Sequence, residues 1–298
     1  EGALCSCPVT AEALTGALHA LAQQGISPFG VYVTSPDYLG GVQDIPALAA
    51  VCRAQGVPLL VDNAHGAYLR FLPQNCHPIA QGAAMCCDSA HKTLPVVTGG
   101  AYLHLAHDAP VQDEAAVRGA LALFGSTSPS YLILQSLDAC NAVLAGDYPR
   151  RLVQCCAALE GLRRSLNKAA AARQCPVPLA VAGAQQEPMK LTLDAAALGC
   201  TGTALAEALR RTQLECEYAD PRYVVLMFTP ENPPQDYTRL QATLEQLLAA
   251  VPVGLPRPEN RAGEFAALQQ QAVQRCTIRQ AVLGAQVRIP VHKALGRV

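Results

Sequence analysis

The sequence has few charged residues and no long hydrophobic run, and each shortage excludes a class of protein. Only 15% of its 298 residues are charged, and the net charge is −1 with acidic and basic residues mixed along the chain. Neither nucleic acid nor a membrane is therefore expected as the main partner. No apolar stretch reaches the ~18 residues of a membrane span. The first residues also lack the basic-then-apolar order of a signal peptide.

The 13 cysteines form neither a metal-binding nor a disulfide pattern. Their number is odd, two pairs are adjacent (Cys86-Cys87 and Cys155-Cys156), and no pair has the C-x-x-C spacing of a zinc ribbon. We therefore expect no metal site. We interpret most of the cysteines as small buried hydrophobic side chains in a reducing, cytoplasmic environment.

Strand-like and helix-like segments alternate over the first ~105 residues, which predicts an α/β fold with parallel strands. A β-branched run at 30–35 ends at a Ser-Pro turn. Asp44 can cap a helix that reaches about Gln55, with Gly56 as its left-handed C-cap. The apolar run 57–61 is typical of a strand that is covered on both faces.

The pattern changes near residue 175, and we predict three regions. Residues 1–174 would form a large α/β domain with a mainly parallel sheet, and residues 175–252 a smaller α+β domain. Residues 253–298 would be a linker followed by a C-terminal helical segment. Residues 130–137 are apolar enough to lie at an interface. The other strands are predicted at 84–87, 101–105, 190–194 and 223–228, and the helices at 78–81, within 111–172, at 202–211 and at 237–250.

Five polar residues follow the ends of two predicted parallel strands. They are Asp62, His65, Ser89, His91 and Lys92. In open α/β sheets, ligands bind in the crevice outside the carboxyl ends of the strands. The pattern therefore predicts that these side chains converge on one ligand site.

The residue types at this edge suit pyridoxal phosphate (PLP). Lys92 can supply the amine that this cofactor needs, and Asp62 can keep the pyridine nitrogen protonated so that the ring accepts electrons. Ala64 is small enough to lie against the ring. Ser89 and His91 can donate hydrogen bonds to the phosphate.

Five short motifs stand in a fixed order between residues 31 and 138. They are Thr-Ser-Pro-Asp-Tyr-Leu-Gly at 34–40, Asp-Asn-Ala-His-Gly-Ala at 62–67, Ser-Ala-His-Lys-Thr-Leu-Pro at 89–95, Thr-Gly-Gly-Ala-Tyr-Leu-His at 98–104 and Ser-Thr-Ser-Pro-Ser-Tyr at 126–131. In sequence and spacing they resemble the Orn/Lys/Arg decarboxylase family (group I). Asn63 departs from the glutamate that is usual there. We expect this position to tolerate change, because its side chain should point away from the cofactor ring.

The resemblance implies a role for each residue near the cofactor. Lys92 would be the Schiff-base lysine, Asp62 the partner of the pyridine nitrogen, and His65 a neighbour of the phenolic oxygen or of the substrate. Lys92 and His65 would be the catalytic residues. The remaining contacts would be Ala64 under the ring and Ser89 and His91 at the phosphate.

The resemblance also implies the fold, the reaction and the assembly. The fold would be part of a PLP-dependent fold type I (aspartate aminotransferase-like) large domain, with residues before position 1 missing, followed by a smaller α+β domain. The reaction would be decarboxylation of arginine, lysine or ornithine to an amine, as in polyamine biosynthesis. The protein would be a homodimer or a higher homo-oligomer, in which Ser126, Thr127 and Ser128 reach the partner subunit's phosphate.

Other interpretations stay open. Asp62 could cap the following helix, His65 could be a buried structural histidine, and the run from Ser126 to Ser130 could be only a helix cap and loop. The chain could carry another PLP activity, such as that of an aminotransferase. It could also be a non-catalytic fragment that is able only to associate.

Overall fold

A computed structural model describes residues 8–126, 128–183, 185–254, 273 and 275–294. The described residues fall into two compact units, one within Cys5–Pro258 and the other within Glu259–Val298. The second unit contains a helix at Ile278–Leu283, which begins with a capping box between Thr277 and Gln280, and a short 3-10 helix at Val291–Lys293. The first unit contains both sheets.

The first sheet has four strands in the order β1-β2-β3-β4, and its first three are parallel. β4 runs antiparallel to β3 at the edge. In the register of the sheet, Asp62 lies beside Thr34 on one side and Cys87 on the other. The carboxyl ends of the parallel strands therefore meet at one edge. The strands are β1 (Val31–Thr34), β2 (Leu59–Asp62), β3 (Met85–Asp88) and β4 (Tyr102–Leu105).

Two helices pack on one face of this sheet, α1 (Ala11–Gln23) and α2 (Ile45–Ala54). Asp44 caps α2, because its carboxylate accepts a hydrogen bond from the backbone N of Ala47 at 3.1 Å. Gly56 has φ +66° after the end of α2, a conformation that glycine adopts without steric cost. Both features confirm the predicted ends of this helix.

The next helices are α3 (Ala90–Thr93), α4 (Glu114–Phe124), α5 (Tyr131–Ala145) and α6 (Tyr148–Ala172). α6 supplies the largest share of one hydrophobic core. Its Leu152, Leu159 and Leu166 recur every seven residues on one face and are completely buried. α4 has no buried residue, and α5 has only Cys140.

The second sheet is antiparallel, with the order β5-β7-β6. α7 begins at Gly202, where a Cβ atom would lie 2.4 Å from the backbone oxygen of Asp220. Only glycine therefore allows α7 to approach the sheet so closely. The strands are β5 (Lys190–Asp194), β6 (Tyr218–Ala219) and β7 (Tyr223–Met227), and the helices are α7 (Gly202–Arg210) and α8 (Pro234–Ala250).

The predicted α/β class with a mainly parallel first sheet is confirmed, and most predicted strands and helices are present with shifted ends. The helix predicted at 237–250, for example, begins at Pro234. The sequence patterns did not predict α1 or β6. One buried cluster includes residues on both sides of position 174, and the predicted domain bounds stay a prediction.

Two further observations concern the cysteines and the helices of the described part of the chain. Its cysteines form no disulfide with one another. None of its helices combines the length and the hydropathy needed to cross a bilayer.

Candidate active site

Lys92 lies on α3, the helical turn that directly follows β3. The first residue of the turn, Ala90, is completely buried in the same core as Leu94. The backbone N of Leu94 donates to the backbone O of Ala90 at 2.8 Å. Because both ends of the turn are anchored in the core, the half-buried Lys92 side chain is held at the carboxyl edge of the sheet.

His65 is the hydrogen-bond partner of Lys92. The two side chains approach to 3.3 Å between Lys92 Nζ and His65 Nε2. Burial, reinforced by the positive charges of Lys190 and Lys92, lowers the pKa of His65 to about 3. The imidazole is therefore neutral near pH ~7. Its Nε2 can accept a hydrogen bond from the Lys92 ammonium, which leaves the ring proton on Nδ1.

Nδ1 of His65 is buried and has no hydrogen-bond partner among the residues that the structure describes. A buried polar group without a partner costs roughly 1–3 kcal/mol, so such groups are uncommon in folded proteins. An acceptor atom on a bound molecule would satisfy this N–H. The open interpretation of His65 as a structural histidine would leave the donor unexplained.

Asp62 is the last residue of β2, and each of its carboxylate oxygens accepts a hydrogen bond. Oδ1 accepts a hydrogen bond from the backbone N of Ala64 at 3.1 Å, and Oδ2 accepts one from the Tyr32 hydroxyl at 3.1 Å. Cys87, its neighbour in the register, is exposed and has its Sγ 4.0 Å from Oδ1. The carboxylate is half-buried and therefore remains accessible to a ligand at this edge.

Ser89 and His91 precede Lys92 at the start of the same turn, and the ring of His91 already makes a hydrogen bond. Its Nδ1 donates to the backbone O of Gly100 at 2.9 Å. Nε2 of this ring could then donate to a phosphate only if the imidazole were positively charged. The Ser89 hydroxyl makes no helix-capping hydrogen bond, although Ser89 is the N-cap residue of α3. The assignment of both residues to a phosphate stays a prediction.

Ser126 and Ser128 lie between α4 and α5 and are exposed. The Ser126 hydroxyl donates to the backbone O of Ser128 at 3.2 Å and accepts from its backbone N at 3.1 Å, which forms a local turn. Thr127 lies outside the described residues. The predicted role of these three residues at a partner subunit's phosphate stays a prediction.

The expectation that Asn63 tolerates change stays a prediction, although the side chain lies in closely packed surroundings. Its side chain is completely buried, and Nδ2 donates to Asp88 Oδ1 at 2.7 Å. A Cβ atom on Gly66 would lie 2.0 Å from Asn63 Oδ1, so the turn before His65 is built closely around this amide. The larger glutamate that is usual here would require different surroundings.

Three residues near His65 were not among the predicted site residues. The ring of Tyr38 packs edge-on against His65 at 5.1 Å between centroids, and its hydroxyl donates to Glu217 Oε1 at 2.6 Å. This hydrogen bond and burial raise the pKa of Tyr38 to about 12. The buried Lys190 has its Nζ 5.8 Å from the centroid of the Tyr38 ring and donates to the backbone O of Asp37 at 2.8 Å. Tyr38 lies within a recognised motif, whereas Lys190 and Glu217 lie far along the chain without one.

The comparison with protein families decides the identity of the chain. The family model described as the major domain of Orn/Lys/Arg decarboxylase matches residues 5–235. The chain belongs to the Orn/Lys/Arg decarboxylase family. The resemblance of the five motifs is thereby confirmed.

Among curated proteins, this Orn/Lys/Arg decarboxylase family member matches bacterial relatives. An uncharacterized protein, YaaO, of Bacillus subtilis (strain 168) is 33% identical over 205 residues, which are 66% of this chain and 41% of that protein. An arginine decarboxylase of Bacillus cereus is 26% identical over 281 residues, 90% of this chain and 58% of that protein. The chain thus spans 41% to 58% of the length of these relatives.

Solved structures confirm the fold of this family member. A lysine decarboxylase of Francisella novicida has a TM-score of 0.64 at 19% identity, covering 80% of this chain and 38% of that one. A pyridoxamine-pyruvate aminotransferase of Mesorhizobium loti has a TM-score of 0.62 at 17% identity, covering 89% and 70%. These neighbours are PLP enzymes of fold type I, so the predicted fold class is confirmed.

The family and its fold neighbours are PLP-dependent enzymes, and the residues of this chain fit that cofactor. The Lys92 amine and the Asp62 carboxylate stand at adjacent strand ends. Nδ1 of His65, which has no partner within the described residues, offers a buried donor beside the lysine. An amine that can form the imine and an anion beside the pyridine nitrogen are two groups that PLP chemistry uses, and the histidine adds a hydrogen-bond donor next to them.

Proposed function

We propose that the chain carries the lysine-bearing part of a PLP-dependent decarboxylase of a basic amino acid, either arginine, lysine or ornithine. The observation that supports this most directly is the 3.3 Å contact between Lys92 and the neutral His65, at a sheet edge that also carries Asp62. Relatives described as arginine decarboxylases support the choice of reaction.

Asp62 would hold the cofactor's pyridine nitrogen in its protonated form, because an adjacent carboxylate favours the charged state. When bound, PLP accepts into its ring the electron pair that remains as the substrate's carboxylate leaves as CO2. The hydrogen bonds from Ala64 and Tyr32 fix both Asp62 oxygens. Asp62 is therefore oriented before a ligand arrives, and little reorganisation is needed on binding.

Lys92 would bind the cofactor through Nζ. Lys92 and His65 would also take part in transferring the proton that replaces CO2 on the substrate carbon. Neutral His65 can accept a hydrogen bond at Nε2, which orients the Lys92 amine, and donate one at Nδ1. Ala64 would lie under the ring, and Ser89 and His91 would hold the phosphate. The released amine would place the reaction in polyamine biosynthesis.

The protein would act as a homodimer or a higher homo-oligomer in the cytoplasm. Ser126, Thr127 and Ser128 would reach the partner subunit's phosphate. The support for self-association is the set of exposed apolar side chains on both sides of this turn, among them Phe124 and Tyr131. The support for the cytoplasm is the number of cysteines within the described residues that form no disulfide with one another.

An aminotransferase activity is the alternative, because an aminotransferase is among the fold neighbours. The two reactions differ in their products. CO2 release from arginine, lysine or ornithine, measured beside a control with added keto acid, would support decarboxylation. Amino transfer to the keto acid without CO2 release would contradict the proposal.

The role of Lys92 can be tested by labelling. The purified chain is mixed with PLP, treated with borohydride to make the lysine bond permanent, and digested for peptide mass analysis. We expect the added mass on the peptide that contains Lys92, with no label above background in Lys92→Ala. Lys168→Ala, which removes an exposed lysine on α6, is the matched control and should label like the wild type. Equal labelling of Lys92→Ala, or none in the wild type, would reject the assignment.

A further inference from the structure

A second cluster of polar side chains lies on the face of the first sheet opposite to Asp62. Asp62 pairs with Cys87 in the register, so Asp88, the next residue of β3, points to the other face. His104 comes from β4, and His77 directly precedes the 3-10 helix Pro78–Gln81. Nothing in the proposed decarboxylase chemistry uses this cluster.

The three side chains converge on one carboxylate oxygen. Oδ2 of Asp88 lies 3.1 Å from Nε2 of His77 and 3.0 Å from Nε2 of His104. Asp88 and His77 are buried, whereas the side chain of His104 is 37% exposed. The buried Cys86 places its Sγ 3.7 Å from Nε2 of His77.

We propose that His77, Asp88 and His104 bind a divalent transition-metal ion such as Zn²⁺, with Cys86 as a further donor. A donor set of two imidazoles and one carboxylate suits such transition-metal ions. Mg²⁺ and Ca²⁺ instead prefer ligands that are all oxygen atoms. With metal–ligand bonds of about 2.0–2.1 Å, neighbouring donors in a tetrahedron lie about 3.3 Å apart. The separations of 3.0 and 3.1 Å already approach that value, and the donor atoms of the three residues lie within 4.8 Å of one another.

The pKa values of Asp88 and Cys86 are shifted in opposite directions. Burial alone would raise the pKa of Asp88, but hydrogen bonds from His104, His77 and Asn63 outweigh it and lower that pKa. These hydrogen bonds also orient the Asp88 carboxylate toward both imidazoles. Burial raises the pKa of Cys86, so its thiol would join only when the metal displaces its proton. The three-residue set is accordingly the minimum site.

Three contacts must change when the metal binds. Ligation through Nε2 requires that nitrogen to lose its proton, so bonds to the ion replace the hydrogen bonds that His77 and His104 make to Oδ2 of Asp88. The backbone N of Ile79 approaches Nδ1 of His77 at 3.4 Å, which is at the long limit of a hydrogen bond. Ligation through Nε2 would put the ring proton on Nδ1 and remove this weak contact. Asn63 would still donate to Oδ1 of Asp88 and so hold the carboxylate in place.

The cluster opens into a cavity of about 450 Å³, and His77, Asp88 and His104 form part of its wall. Asn75 and Arg70 also line it, and Arg70 adds a positive charge. A water molecule or a small anion could therefore occupy a free coordination position. The ion would tie together β3, β4 and the segment before Pro78, and β3 leads directly into the turn that carries Lys92.

The test is metal binding and its effect on stability, measured without any activity assay. The chain is stripped with a chelator and dialysed, then titrated with Zn²⁺ in a calorimeter, and its thermal unfolding is followed with and without the ion. We expect saturable binding and a higher unfolding midpoint, because a ligand that binds the folded state stabilises it. Co²⁺ in place of Zn²⁺ should give the visible absorption of a tetrahedral site.

Substitutions distinguish metal binding at this site from metal binding by cysteines elsewhere in the chain. His104→Gln changes the most exposed ligand, so it should fold, yet we expect at least a tenfold loss of affinity and no rise in the midpoint. Asp88→Asn should do the same, whereas His107→Gln, an exposed histidine nearby, should behave like the wild type. Cys86→Ser should remove thiolate absorption from the Co²⁺ spectrum. No binding by the wild type, or equal binding by His104→Gln, would overturn the proposal.

Discussion

His65 is neutral because of where it lies. Burial is the larger cause of its lowered pKa, and the charges of Lys190 and Lys92 add to it. Tyr38 covers the ring edge-on and is itself held by Glu217. A histidine in this environment is suited to accept a hydrogen bond from the lysine. The same environment penalises its protonation, and this penalty has a measurable cost in acid.

We predict that His65 destabilises the folded chain in mild acid. A histidine in an unfolded chain titrates near ~6.5, whereas the pKa of His65 in the folded chain is about 3. Between these values the unfolded state binds more protons. Stability is therefore full above pH ~6.5 and falls as the pH drops, by at most about 1.4 kcal/mol per pH unit.

The check is urea unfolding at about pH 7 and about pH 5, the range over which only the unfolded state gains this proton. His65→Gln cannot be protonated, so its free energy of unfolding should fall less between the two pH values than that of the wild type. His107→Gln removes an exposed histidine and should keep the wild-type pH dependence. An identical pH dependence in the His65 variant and the wild type would contradict the prediction.

The site was predictable wherever short-range sequence and strand ends determine it. Asp62 and Lys92 follow adjacent parallel strands, so their position at one edge follows from the sheet alone. Lys190 was not predictable, because it joins the site from a strand of the other sheet. The cluster of His77, Asp88 and His104 also escaped prediction, since its members come from three segments without a ligand-spacing motif.

Within the first unit, α4 and α5 are the helices whose apolar side chains are least buried. Leu123, Phe124, Tyr131 and Leu132 are all more than half exposed, at 78%, 92%, 84% and 65%. Large apolar side chains that are grouped and exposed in this way are typical of an interface. The same turn carries Ser126 and Ser128, so a second copy seated here would bring those hydroxyls to a neighbouring subunit.

We predict that Phe124→Glu weakens self-association. A charge in an apolar interface loses hydration without gaining a partner, so the substitution should shift the protein toward the monomer. Light scattering coupled to size-exclusion chromatography measures the change over a range of protein concentrations. Phe29→Glu is the control, because Phe29 is 90% exposed but lies between α1 and β1. If Phe124→Glu has the wild-type mass at every concentration, the surface does not mediate self-association.

Helices and strands could be predicted where their buried side chains produce a regular spacing of apolar residues in the sequence. α2 shows caps and a clear apolar face, and it was predicted almost to its ends. α1 buries only Leu14 and Leu18, so its helical periodicity is faint in an alanine-rich segment. α4 and α5 were predicted as helical despite their exposure, but the sequence alone does not reveal what covers them.

Over the whole of the first unit, the hydrophobic cores do not follow the two sheets. One cluster joins α1 and α2 to the first sheet through residues such as Leu48 and Val61. The other contains α6, α8 and the second sheet, and it also includes Ala90 and Leu94 at the ends of the Lys92 turn. The candidate catalytic lysine therefore depends on a core that comes mostly from residues beyond 148.

Because Leu159, the second sheet and the ends of the Lys92 turn share one hydrophobic cluster, we predict that Leu159→Ala destabilises the turn and the second sheet together. Leu159 is completely buried on α6, and removing its side chain should cost about 2–5 kcal/mol of unfolding free energy. Hydrogen exchange should show lower protection of the Leu94 amide and of the β7 amides in parallel. The amides of α2, which pack in the other cluster, should lose less protection.

Val153→Ala is the matched control for this prediction, because Val153 lies on the same helix but is 41% exposed. Its unfolding free energy should change by less than about 0.5 kcal/mol. If Leu159→Ala lowered the protection of β7 while that of the Leu94 amide stayed constant, the Lys92 turn would not depend on this core. Parallel loss would instead tie the position of the lysine to packing contributed by the second sheet and α6.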